Sequence, residues 1–321
     1  MTTRLAFLFP GQGSYVPGVF GRLAGRCPVV DETLSAIDRA VAGLGYPPVS
    51  PKLLQTTAPS LQQLAESDPT TLHLAIFTAS VVTFRLLADC GVRPDLLLGH
   101  SFGDLTALTV SGAWSLGDGV RLVLRGDEAL RRPSTPLGGM AALACGVRRA
   151  RHLLGAVGER HLSVAADNSP GQVVVSGPDA ALERLEAVAS SFGVPATRLR
   201  VPYPFHNPIL ARTEKDFSAA VTTVPRRPPR VPVYSSLIDR YVADSADVDR
   251  VLTRHLTTPV RFLDAVRRVH ADGAGTFVEC GPKGILTSLV AGNLPGVAVI
   301  APLLRRTDWE TWSAELRPAL G

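Results

Sequence analysis

Glycine, any residue, serine, any residue and glycine fall at Gly99-His100-Ser101-Phe102-Gly103, and few short patterns restrict a chain more. Ahead of them runs Pro94-Asp95-Leu96-Leu97-Leu98, an apolar stretch of strand length. Behind them Leu105-Thr106-Ala107-Leu108-Thr109-Val110 reads as a helix. A strand that turns sharply into a helix makes the two elements cross, and glycine at 99 and 103 removes the side chains that would collide there. Ser101 then stands at the tight turn, where the backbone N–H groups of the helix N-terminus face any oxyanion formed on an attacked carbonyl. The same five residues also make an ordinary glycine-bounded turn, so the serine counts as a nucleophile only if the chain supplies a base.

Strand and helix signals alternate on both sides of this turn. Leu5 to Phe9 is a short apolar run ended by Pro10-Gly11-Gln12-Gly13-Ser14, a buried strand with a glycine-rich loop. That places Gln12 where a first-strand loop approaches a site at the carboxyl end of a parallel sheet. Thr70 to Cys90 is apolar nearly all round and reads as a buried helix, in which His73 is expected to be a satisfied core histidine. Between Gly138 and Pro202 the texture changes to strand, helix, strand, strand, helix, strand, with the turn Asn168-Ser169-Pro170-Gly171 between the middle pair. That order is ferredoxin-like. It reads as an insertion, with the main sheet resuming after 205. Residues 206–224 look helical, Val231 to Ser235 and Thr276 to Glu279 are strands, and Val248 to Leu256 and Val260 to Val269 are helices. The expected division is 1–135 with 205–321 as a large unit and 136–204 as a small one.

Composition narrows the chemistry. Apolar residues make up 45% of 321 residues, enough for a substantial core. The net charge is +5, but aromatics are only 6% and no Lys/Arg block interleaves with them, which argues against nucleic acid. A basic surface suits an acidic protein partner or a phosphorylated cofactor as well. Cys27, Cys90, Cys145 and Cys280 are isolated and form no C-x-x-C, which argues against a disulfide framework or a metal site. The apolar start is far too short to span a bilayer, so neither membrane nor export is expected and the chain reads as cytoplasmic.

Of the seven histidines, His206 stands out. It follows Tyr203-Pro204-Phe205 and precedes Asn207-Pro208, so two prolines pin its backbone at the return from the insertion. A pinned histidine at such a junction suits a base facing a cleft. His152 and His161 sit in solvated contexts, and His270 ends a helix, where a cation is favourable.

Several stretches, taken in order, resemble the malonyl-CoA:acyl carrier protein transacylase family, which includes freestanding and module-embedded acyltransferases of polyketide synthases. They are Phe9-Pro-Gly-Gln-Gly-Ser14, Gly99-His-Ser-Phe-Gly-Asp104, Asn168-Ser-Pro, Val175-Ser-Gly177, Pro204-Phe-His206, Thr258-Pro-Val-Arg-Phe262 and Glu279-Cys-Gly-Pro-Lys-Gly284. The resemblance implies an α/β-hydrolase-like parallel-sheet core with the ferredoxin-like insertion and a site between them. It implies Ser101 as the nucleophile, His206 as base and then acid, and an oxyanion hole from Gln12 and the backbone N–H of Phe102. His100, Asn168, Tyr203 and Phe205 would contact substrate. The base would be oriented by the backbone carbonyl of His255, which stands where the family usually has glutamine. The implied reaction is ping-pong transfer of a malonyl-type unit from acyl-CoA to the phosphopantetheine thiol of an acyl carrier protein, with no bound cofactor. Arg226, Arg227, Arg230, Arg305 and Arg306 are candidates for docking that acidic carrier.

The pattern departs from the family in four places. Dicarboxyl-selective members hold the free carboxylate with an arginine on the helix after the elbow. Arg125 in Leu124-Arg125-Gly126 is the match, but counting forward from Ser101 puts Gly126 at that place. One residue of helical register turns a side chain by about 100°. Phe102 is bulkier than the family's residue, the Tyr203-Pro-Phe-His206 segment matches neither the malonyl nor the methylmalonyl version, and His73 replaces a usual glutamine. These leave open a non-malonyl acyl group, such as an aminoacyl starter, passed from one carrier protein to another. A thioester hydrolase and a non-catalytic carrier-binding subunit are further readings.

Overall fold

The computed structural model describes residues 4–304. Arg305 and Arg306 therefore lie outside the described residues. The strands are β1 (Arg4–Phe9), β2 (Leu96–Gly99), β3 (Gly139–Leu143), β4 (Ser163–Ser169), β5 (Gln172–Gly177), β6 (Ala196–Leu199), β7 (Val233–Ser235), β8 (Arg240–Tyr241), β9 (Ala274–Glu279) and β10 (Ala298–Ile300). They form a six-stranded sheet in the order β10-β9-β1-β2-β7-β8 and a four-stranded sheet in the order β4-β5-β3-β6.

The large sheet is parallel from β10 to β7, and the short edge strand β8 alone runs antiparallel. Parallel strands covered on both faces read as continuous apolar runs, and Leu96, Leu97 and Leu98 are fully buried. Phe9 pairs with Gly99, Gly99 with Ser235, and Leu8 with Glu279. The carboxyl ends of four strands thus come together, and the loop after β1, the elbow after β2 and the turn at Cys280 emerge at one edge. The helix Pro69–Asp89 is apolar and long enough to cross a membrane, yet sixteen of its residues are buried. It is a core helix packed against the helices Pro28–Ala42 and Leu116–Leu130.

The small sheet is antiparallel throughout, and its strand order is that of a ferredoxin-like unit. Strand side chains alternate between faces. Ala141, Leu143, Val173 and Val175 pack under the helices Val147–Val157 and Asp179–Ser191. Met140, Ala166 and Val174 face the other way and join the main core. Backbone and side-chain links hold the sheets together. Val260 N–H donates to Ala165 O at 2.9 Å while Asp167 N–H donates to Val260 O at 2.9 Å. The Asn207 side chain donates to Ser176 O at 3.0 Å and to His161 O at 2.9 Å.

Some expected boundaries shift for local reasons. Residues 206–224 are not one helix: Asn207 Oδ1 accepts from Ile209 N–H and caps a turn at Pro208–Leu210, and a helix follows at Ala211–Ala220. The helix expected from Val260 starts at Phe262, because Val260 is extended and bridged to the small sheet. Arg226, expected as a docking cation, is turned inward on Asp249 and on the carbonyls of Val221, Thr222 and Val224.

Candidate active site

The elbow forms because no side chain fits at its two glycines. A Cβ on Gly103 would lie 1.8 Å from Phe9 O, and one on Gly99 would lie 2.4 Å from Asp104 N. Between them Ser101 adopts φ +56°, the left-handed region that a non-glycine residue enters only when its surroundings enforce it. The helix Gly103–Val110 starts two residues further on.

Ser101 Oγ lies 2.6 Å from His206 Nε2. The other ring nitrogen, Nδ1, lies 2.8 Å from the carbonyl oxygen of Thr258. A carbonyl can only accept, so Nδ1 carries the proton and Nε2 presents its lone pair to the serine hydroxyl. His206 also has a positive φ, +58°, and is buried. Burial above all pushes its pKa down from 6.5 to about 3, and the neighbouring His255 and His100 add to this against the Thr258 bond. The imidazole is a neutral base poised on the hydroxyl.

Thr258 corrects the expectation for His255. The carbonyl that orients the base belongs to Thr258, three residues along, on the segment bridged to the small sheet. The His255 ring stands edge-on to that of His206 at 6.1 Å, and burial lowers its pKa to about 4. His255 Nδ1 has no partner among the described residues.

His100 Nε2 bonds Asn168 Oδ1 at 2.7 Å, Asn168 Nδ2 donates to Gln172 Oε1 at 2.8 Å, and Asn168 O accepts from Asn293 at 2.8 Å. Burial lowers the His100 pKa, so this histidine is neutral and ties the elbow to the turn between β4 and β5. Tyr203 and Phe205 meet edge to face at 5.9 Å beside the nucleophile.

Gln12 reaches the site, but its side-chain amide is engaged by His73 Nε2 at 2.8 Å. His73 Nδ1 in turn meets Asp127 Oδ1 at 2.6 Å. Burial opposes a charge on His73, but the Asp127 carboxylate outweighs it and the pKa is raised. The His73 ring packs on Phe102 at 5.6 Å. His73 is thus a site residue, not the inert core histidine that uniform apolarity suggested. Its replacement of the family's glutamine was the available signal. Asp127 carried none.

Arg125 is corrected as well. The helix Leu116–Leu130 turns Leu122, Val123, Gly126 and Asp127 toward the site. Arg125 falls on the outer face, with 44% of its side chain exposed, and pairs with Glu128. Gly126, the next residue, lines the same chamber as Ser101.

These residues border a cleft of about 360 Å³ between the two sheets, lined by Gln12, Ser101, Asn168, Tyr203, Phe205 and His206 among apolar side chains. Behind Ser101 a smaller chamber of about 50 Å³ continues toward Gly126, Asp127, Phe217 and His255. The nucleophile sits where the two meet. Among the described residues no group of His, Cys, Asp and Glu is arranged to hold a metal ion. A neutral histidine on a serine at a helix N-terminus is equipped for nucleophilic attack on a carbonyl, through a covalent ester.

Comparison with known proteins agrees with this geometry. Residues 6–315 match the family described as acyl transferase domain. The spectinabilin polyketide synthase system protein NorB of Streptomyces orinoci is 35% identical over 96% of the chain, which spans 14% of that protein's length. Among solved structures, a malonyl-CoA:acyl carrier protein transacylase from Xanthomonas oryzae superposes with a TM-score of 0.86 at 28% identity, covering 100% of this chain and 98% of its own. The acyltransferase domain from module 8 of the salinomycin polyketide synthase gives 0.86 at 30% identity, covering 99% and 75%.

Proposed function

The chain belongs to the acyl transferase domain family, and on that footing we propose that it carries an acyl group as a Ser101 ester to the phosphopantetheine thiol of an acyl carrier protein, in polyketide or fatty-acid biosynthesis. The observation that carries this is the 2.6 Å contact from Ser101 Oγ to His206 Nε2, with Thr258 holding the imidazole from behind. Oγ attacks the thioester carbonyl as Nε2 takes its proton. The C–S bond breaks, and the departing sulfur takes that proton. The carrier thiol then gives its proton to Nε2 and attacks the ester, and Ser101 recovers its hydrogen. Backbone N–H groups of Phe102 and Gln12 would hold the oxyanion in both halves. A thioester is already activated, so the protein chiefly supplies orientation and keeps water from the ester.

Acyl-CoA and the carrier act as substrates, with no resident cofactor required, and the place of action is the cytoplasm. The malonyl unit named for the Xanthomonas relative gives the first reading of the acyl group, with CoA as donor. One observation favours a second, in which a non-malonyl group is passed between carriers. Gly126 faces the chamber where a carboxylate clamp would stand, and Arg125 faces solvent.

Intact-mass analysis after incubation with acyl thioesters tests the reaction. The wild type should gain one acyl mass and pass it to a carrier, Ser101→Ala should gain none, and His206→Ala should load about 10²- to 10⁴-fold more slowly. Full transfer by Ser101→Ala would remove the mechanism. Free acid in place of loaded carrier would make the enzyme a hydrolase.

A further inference from the structure

We infer that the chamber behind Ser101 is a subsite for a protonated amine on the acyl chain, with Asp127 Oδ2 as its acceptor; this rests on the second reading of the acyl group.

Asp127 is buried at 6% exposure on the chamber wall. Its Oδ1 is taken by His73 at 2.6 Å. Its Oδ2 is buried and has no hydrogen-bond partner among the described residues. A carboxylate has acceptor sites on both oxygens, and leaving one empty in the interior is costly unless a ligand fills it. His255 Nδ1, another unpartnered buried atom, lines the same space.

The wall beside Asp127 is open. Gly126 is a helix-interior glycine, and a Cβ there would meet only Phe217 at 3.7 Å, an ordinary contact. Nothing steric demands the glycine, and its consequence is room next to the carboxylate. Leu122, Val123 and Leu130 supply apolar wall for the methylenes of a chain. No arginine or lysine lines the chamber.

The unfilled acceptor decides which group enters. A second carboxylate would meet Asp127 with only the shared His73 between them. A methyl group would leave Oδ2 unpaired. A protonated amine gives Oδ2 a charge-assisted bond while Oδ1 stays with His73. The substrate class is therefore an aminoacyl thioester whose amine lies a few bonds from the carbonyl.

The test is the rate of Ser101 ester formation, read by intact mass, with N-acetylcysteamine thioesters of 3-aminobutyrate, N-acetyl-3-aminobutyrate, butyrate and malonate. The aminobutyryl ester should form about tenfold or more faster than the butyryl and malonyl esters. Acetylating the amine should abolish the advantage. In Asp127→Asn the ratio of aminobutyryl to butyryl loading should fall toward one. The ratio is taken within each protein, so loss of folded enzyme does not imitate the effect, and the acetylated substrate decides the matter in the wild type alone. Equal loading of the amine and its acetylated form, fastest loading of malonyl, or an undiminished ratio in Asp127→Asn overturns the subsite and leaves the acyl-enzyme standing. If no thioester labels Ser101, the reaction itself falls, and the subsite with it.

Discussion

His206 and His255 are buried and His100 is half-buried within one site, and loss of solvation lowers the pKa of each below the ordinary 6.5. In the unfolded chain they take up protons near that value, whereas in the folded protein His206 and His255 stay neutral down to about 3 and about 4. As pH falls below 6.5 the unfolded state therefore binds more protons, and stability drops with it. His73 works in the opposite sense. Its raised pKa contributes stability below 6.5 that is lost as pH rises through the raised value. Asp104, its carboxyl raised to about 8 by burial, and Asp167, Glu214 and Glu279, also raised by burial, act in the same sense as His73, so each lowered histidine contributes a loss in acid of up to about 1.4 kcal/mol per pH unit against these opposing groups. In His255→Gln the change in Tm from pH 7 to pH 5 should be less negative than in the wild type, and a change equally or more negative would contradict the assignment. Activity should behave differently. With the base deprotonated throughout, kcat/KM for ester formation should stay level from pH 8 to pH 5 wherever the fold survives, with no acid limb near 6.5.

The helix Leu116–Leu130 decides which side chain meets the acyl group, and its own stability is in tension with that task. An interior glycine costs a helix about 0.5–1 kcal/mol relative to alanine. A Cβ at 126 meets no bad contact. Gly126→Ala should therefore raise stability by about that amount in denaturant unfolding while slowing the loading of branched or long acyl groups. This helix also shows where sequence reading stops. The elbow was legible because the glycine spacing is itself the steric requirement, and the base because prolines bracket it at 204 and 208. The small sheet was legible because its alternation is local. Arg125 was not, because one step of register turns a helical side chain by about 100° and only packing fixes the zero. The Thr258 carbonyl was hidden for another reason: a backbone atom leaves no residue type to recognise. Strand β8 is two residues long, too short to show any period.

At the scale of the whole molecule the site is a seam, and its two walls are pinned at few points. Asn207, next to the base, bonds two carbonyls of the small unit and caps the turn that follows. Asn207→Ala leaves those groups unpaired and should cost about 1–3 kcal/mol in thermal or denaturant unfolding. It should also raise the share of acyl-enzyme lost as free acid, since looser walls admit water. Transfer that remains as tight as in the wild type would show that the seam is held elsewhere. Another pin is the strand-like stretch at Val260, which adds itself to β4 two residues after the carbonyl that steadies His206. The two jobs share one short length of backbone, so the catalyst is interlocked with its own door. A substitution that loosens Val260 from the small unit should therefore also disturb the carbonyl behind the imidazole.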